Sequence, residues 1–142
     1  MRRVSIRHRT RAQGLVEAAL VVLATIPLVV GLLAVARMLE NQAAVNVVAY
    51  EAARSAAQAN TSAEAEALAQ ARTSDLAAAY GLTNGTLVVV LESADVERGQ
   101  PVVARARYQV GFADIPLLGW AQHQVSSRHT ELVERHRSIL TP

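Results

Sequence analysis

A chain of 142 residues, 51% of them hydrophobic, has room for one small domain and one membrane segment. It contains no cysteine, which excludes a disulfide framework and any thiolate metal site. The formal charge of +2 is unevenly spread, because five of the fourteen basic residues lie in residues 2–11, leaving nine against twelve acids in the remainder.

That basic leader carries Arg2, Arg3, Arg7, Arg9 and Arg11 and no acid. It abuts an apolar helix and lacks interleaved aromatics, which points to membrane topology and away from nucleic acid. The following stretch, Ala18 to Ala36, is uncharged and rich in valine and leucine. A hydrocarbon core about 30 Å thick needs roughly 20 helical residues, so this stretch predicts a membrane-spanning helix. Pro27 removes a backbone donor, Gly31 follows one turn later, and the pair predicts a bend. Arginines before the span and their scarcity after it predict a cytoplasmic N-terminus. Ala34-Val35-Ala36 has the small-x-small form of a signal-peptidase site. The long apolar run and the unbroken helical pattern beyond it argue against cleavage there. Glu17 stands at the head of the apolar run, where a carboxylate is costly unless it snorkels to water or finds a partner.

The segment Arg11-Ala12-Gln13-Gly14-Leu15-Val16-Glu17-Ala18-Ala19-Leu20 resembles the opening of TadE-like minor pseudopilins of the tight-adherence (Flp, type IV-like) pilus system. The family pattern reads R-G-Q-A-L-V-E-F-A-L, and Gly and Ala are swapped here. Ala49-Tyr50-Glu51-Ala52-Ala53-Arg54-Ser55-Ala56-Ala57 resembles the A-x-x-x-A-R-x-A-A block that follows the membrane helix in that family. The likeness covers about the first 58 residues. It implies cleavage by a prepilin peptidase between Ala12 and Gln13, which makes Glu17 the fifth mature residue. Cleavage after Gly14 is the alternative, with Glu17 then third. It also implies that Glu17 pairs with the freed N-terminal amine of a neighbouring pilin subunit.

Beyond the membrane, Met38 to Ala59 is alanine-rich with few breakers, so one helix is predicted from about Gln13 to Ala59. Its alanines (Ala43, Ala44, Ala49, Ala52, Ala53, Ala56 and Ala57) either permit close packing with copies and partners or lie on a solvated helix. Asn60-Thr61-Ser62 breaks the helix, and Thr61 with Glu64 forms a capping box opening a second helix, Ser62 to Tyr80. The predicted apolar stripe of that helix is Ala65, Leu68, Ala69, Leu76, Ala79 and Tyr80. Arg72 interrupts it, either as an ion-pair partner or as its rim. Gly81 is the expected stop.

Asn84-Gly85 is turn chemistry. Thr86 to Glu92 is apolar on both faces and reads as a covered central strand. Ser93 to Gln100 reads as a polar loop. Val102 to Phe112 alternates with period two, giving one buried and one wet face on which Arg105 and Arg107 are solvated. Ile115, Leu117, Leu118 and Trp120 fall in a loop. They cap the core or form an apolar patch facing a partner or the membrane. Gln124 to Glu134 reads as a third strand, although residues 131–140 fit a helix equally well.

His129, Glu131, Glu134 and His136 are the only clustered metal-capable residues, and their spacing fits no zinc motif. No phosphate loop and no nucleophile–base pair is present. The expectation is therefore a non-enzymatic protein with no metal, cofactor or small-molecule substrate. Its segments are a basic cytoplasmic leader (1–12), a transmembrane helix (13–37) and an extracytoplasmic domain (38–142). The fold class is α+β, with the long helix continuing into a pilin-like head of a second helix and about three antiparallel strands. Expected partners are the membrane, other pilin subunits and a prepilin peptidase. The competing expectation is a single-pass anchored binding domain that is neither processed nor assembled.

Overall fold

A computed structural model describes residues 6–82, 85–93, 97 and 99–133, with side chains from Gln13 onward. It has the expected α+β architecture. Helix α1 spans Ile6–Ala56, α2 spans Ser62–Ala79, and strands β1 (Leu87–Ser93), β2 (Pro101–Gly111) and β3 (Gln122–Leu132) follow. The strands form one antiparallel sheet in the order β1-β2-β3.

Helix α1 is 51 residues long, about 75 Å at 1.5 Å per residue. It continues through Pro27 and Gly31 without interruption, and through Ala36 at the candidate signal-peptidase site. From Gln13 to Val29 every residue is exposed, and the head first covers Val30, Ala34 and Met38, one turn apart. Beyond them Ala44, Val45, Val48, Ala49, Ala52, Ala53 and Ala56 are buried. Their spacing marks one helix face.

The direction of α1 follows from its two clusters. Val45, Val48 and Ala49 pack with Tyr108, Val110 and Phe112, whereas Ala52, Ala53 and Ala56 pack with Val102 and Ala104. The helix thus runs antiparallel to β2, and the far end of β2 lies nearest the exposed apolar half of α1. The alanine seam lets the helix sit close to the sheet. This corrects both readings of the alanines: Ala44, Ala49, Ala52, Ala53 and Ala56 are covered by the chain's own head, and Ala43 alone of the seven is exposed.

Helix α2 returns antiparallel to α1. The Thr61 hydroxyl accepts from the Glu64 amide at 3.2 Å, and the Glu64 carboxylate accepts from the Asn60 amide at 2.8 Å. The box closes one residue earlier than expected, on Asn60 and not on Thr61. At the other end Gly81 takes φ +66, with Gly81 N–H donating to the Ala78 carbonyl and Leu82 N–H to that of Ala77. This is a Schellman stop, and its Leu82 is buried. Only Ala65, Ala69 and Leu76 of the predicted stripe are buried, while Leu68, Ala79 and Tyr80 are exposed. The reason is that α2 packs mainly on α1 and reaches only the edge of the sheet. Arg72 settles as an ion-pair partner, 3.1 Å from Glu51 on α1.

Strand β1 is a correction. It lies at a sheet edge, with Leu87, Val89 and Leu91 half-buried towards the helices and Val88 and Val90 exposed at 46% and 53%. The central strand is β2, whose alternation agrees with the sequence pattern from Ala104 onward, while Val103, on the expected wet face, is buried as well. Its wet face pairs Arg105 with Glu92 at 3.0 Å, Arg128 of β3 meets the same carboxylate at 2.8 Å, and Arg107 is exposed. Residues to Leu132 are strand, so the ambiguous segment begins as β3; residues 134–142, including Glu134 and His136, lie outside the described residues. Asn84, residues 94–96 and 98 of the expected loop, and the leader up to Ser5 also lie outside them. Gly85 is needed for close approach, because a Cβ there would overlap the Gln109 carbonyl oxygen and the Tyr108 ring.

The seam predicts a contrast between two substitutions on one helix. Ala53→Leu should destabilise the head by about 1–3 kcal/mol through overpacking. Ala43→Leu, at an exposed site, should change stability by less than about 0.5 kcal/mol. Urea unfolding in detergent, followed by circular dichroism, measures both.

Candidate functional site

The sequence directs attention to two places on α1 and one loop. Glu17 is exposed near the start of the described side chains, on a surface otherwise made of Leu15, Val16, Leu20 and Val21. The backbone at Ala12, Gln13 and Gly14 is already helical, and nothing lies within 4 Å of where a Cβ on Gly14 would be. The processing candidates thus sit on an open helical stem. The most apolar part of α1 is 0% buried within the chain, unlike the core helix of a soluble domain. α1 is long and apolar enough to cross a membrane once.

The loop between β2 and β3 closes against α1 at the end of that apolar stretch. Three successive turns link it: Ile115 N–H donates to the Phe112 carbonyl, Leu118 N–H to that of Ile115, and Ala121 N–H to that of Leu118. Ile115 is buried, and Leu118 and Ala121 pack on the core with Val30, Ala34 and Met38 of α1. Leu117 and Trp120 are exposed at 70% and 84%. The expected apolar patch therefore divides. Ile115 and Leu118 cap the core, and only Leu117 and Trp120 face outward.

A charged clamp that sequence reasoning missed fixes this loop to α1. The Arg37 guanidinium grips Asp114 with two parallel hydrogen bonds, Nη1 to Oδ1 and Nη2 to Oδ2, the second at 2.6 Å. The Arg37 carbonyl also accepts from the Asn41 amide group at 2.9 Å. The Arg37 hydrogen bonds hold the Asp114 carboxyl below the usual aspartate range. Burial pushes the Tyr108 hydroxyl up, partly opposed by the charge of Arg37. Residues 37 and 114 are 77 apart in sequence, and no local pattern links them. Two shallow clefts flank the clamp. One is lined by Leu33, Ala36, Asp114 and Pro116, the other by Glu40, Tyr80, Gly81 and Tyr108.

An open groove of about 480 Å³ separates α2 from the free edge of β1, lined by Glu66, Gln70, Thr73 and residues 87–91. His129 stands 3.4 Å from Glu131 and edge-on to the Tyr50 ring, with centroids 4.8 Å apart. The two are two residues apart on β3 and so share one face of the sheet. Among the described residues no group of three or more His, Asp or Glu side chains could hold a metal ion.

No family model, curated protein or solved structure matches the chain.

The clamp has a defined pH dependence. Asp114 is the depressed partner, so its contribution is present above the ordinary aspartate value and is lost as pH falls through the lower folded value. A spin label at Gly119→Cys, in a chain without other cysteines, reports loop mobility. Asp114→Asn should raise that mobility at neutral pH, and the difference from the parent should vanish in acid.

Proposed function

We propose that the protein is a membrane-anchored structural subunit of the TadE-like minor pseudopilin kind, contributing to the assembly of a tight-adherence pilus on a bacterial surface. Its N-terminus lies in the cytoplasm, α1 crosses the cytoplasmic membrane, and the α+β head stands outside. The observation that carries this reading is the division of α1. One unbroken helix offers an exposed apolar half bearing a lone carboxylate near its start, while its other half is the spine of the head. The resemblance of Arg11 to Leu20 to the pseudopilin opening supports it further.

The proposed role is mechanical and has no catalytic step. A prepilin peptidase cuts between Ala12 and Gln13 and frees an amine. Glu17 of one subunit then pairs with the amine of another pilin subunit. An unpaired charge in hydrocarbon is so costly that this pairing selects register more than it adds stability. Because the alanine seam is occupied by the chain's own sheet, subunit packing falls to the membrane half of α1, residues 13 to 36.

An anchored binding domain that is never processed is the competing reading, favoured by the open groove beside β1. Mass-spectrometric mapping of the N-terminus in native membranes tests the choice between them. The pseudopilin reading expects a chain beginning at Gln13; an intact leader leaves an anchored domain or an unprocessed pilin relative and removes the amine on which the role of Glu17 depends. Glu17→Ala should insert normally but lose co-purification with other pilin subunits; undiminished co-assembly would overturn the role given to Glu17.

A further inference from the structure

Leu117 and Trp120 are left without a role by the head's own packing. Trp120 is the most exposed large apolar side chain among the described residues, at 84%. Leu117 sits at φ +69, a left-handed conformation that costs a leucine about 1 kcal/mol and here brings no burial in return. A strained backbone that presents an apolar side chain outward suggests an external surface for it.

The position of the loop says which surface. Its inward side packs on the same core cluster as Val30, Ala34 and Met38, where α1 is first covered, and Leu33 and Ala36 line the adjoining cleft with Asp114, Ile115 and Pro116. The uncharged run of α1 ends at Ala36. The loop therefore flanks the last two turns of the apolar run, about 9 Å of helix from Val30 to Ala36. The interfacial zone of a bilayer is roughly 5–8 Å deep on each side. Tyr80, half exposed, lines the cleft beside Arg37 and Glu40 at the same end of the head. Tryptophan and tyrosine are the residues that favour this zone, with an apolar ring inward and a polar edge towards water. Of the charges lining the adjoining cleft, Arg37 and Asp114 are paired with each other, and Glu40 lies on α1 one turn beyond Arg37, away from the apolar run.

We propose that the loop of residues 113–121 is a membrane-interface collar. Trp120 and Leu117 seat at the boundary between headgroups and acyl chains of the leaflet from which α1 emerges, with Tyr80 beside them. The collar fixes the tilt and rotation of the head relative to the bilayer, and the Arg37–Asp114 clamp transmits that setting to α1. It recognises the apolar boundary of the lipid and needs no anionic headgroup. The proposal rests on α1 spanning the membrane, and not on pilus assembly.

Trp120 is the only tryptophan in the chain, so intrinsic fluorescence reports on it alone. The full-length protein is placed in phosphatidylcholine nanodiscs carrying bromine near either the headgroup end or the tail end of the acyl chains. The collar expects a blue-shifted Trp120 emission, strongly quenched by headgroup-end bromine and less by tail-end bromine. It also expects no change when anionic lipid is added. A second protein, with Trp120→Phe and Ile26→Trp, reports the immersion of α1 itself and should be quenched most by tail-end bromine. Quenching in that second protein, with Trp120 of the parent unquenched and unshifted, overturns the collar while the span stands. If neither protein is quenched, the span reading fails and the collar falls with it.

Discussion

The close contact between α1 and the sheet is the constraint on which the rest of the molecule depends. Ala49, Ala52, Ala53 and Ala56 are fully buried beneath Val102, Ala104 and Ala106 of β2. Larger side chains on that face would push the helix away and open both clusters. Because the same helix continues as the exposed apolar stem, the head is not tethered by a linker. Its orientation is set by the helix that carries it, and any constraint on one end is felt at the other.

The charged groups are arranged around that axis. Arg72 ties α2 to α1 through Glu51, and Arg37 ties the β2–β3 loop to α1 through Asp114. Both pairs are partly exposed to solvent, so their value is geometric more than energetic. On the opposite side of the sheet Glu92 receives Arg105 and Arg128 together, linking all three strands across their wet face. A bulge between Leu91 and Ser93 lies next to this junction and shifts the register of β1 against β2.

Among the described residues the two most exposed aromatic side chains, Tyr80 and Trp120, both lie at the end of the head near the stem, with Leu117 beside Trp120 in the same loop; at the other end Ala59, Val102 and Val133 are enclosed and Leu132 is exposed. A soluble domain gains nothing from concentrating its exposed aromatics beside an uncharged helix. A head that rests on lipid does, since the ring displaces interfacial water while its polar edge stays hydrated. The proposed collar and the proposed Glu17 pairing act at opposite ends of one membrane span, and between them they would fix depth and register.

Much of the fold was legible in the sequence because its signals are local. The long helix, the Thr61–Glu64 cap, the Gly81 stop and the alternation of β2 each depend on residues within a turn or two of one another. The place of β1 was not legible. A run of apolar residues looks the same whether both faces are covered or only one, and Val88 and Val90 are exposed because no layer lies over that side. The alanines were legible as small but not as occupied, since their burial depends on a strand far along the chain. The loop carried no periodic helix or strand signal, so the inward turn of Ile115 and Leu118 and the outward turn of Leu117 and Trp120 emerged only from its turns. By itself the sequence determined the elements, the membrane-length apolar helix and the lone Glu17, all consequences of short-range sterics and hydropathy. The tertiary structure alone decided which strand is central, what covers the alanine seam, and that Arg37 holds Asp114. Those outcomes depend on contacts between distant segments, which exist only once the chain has packed.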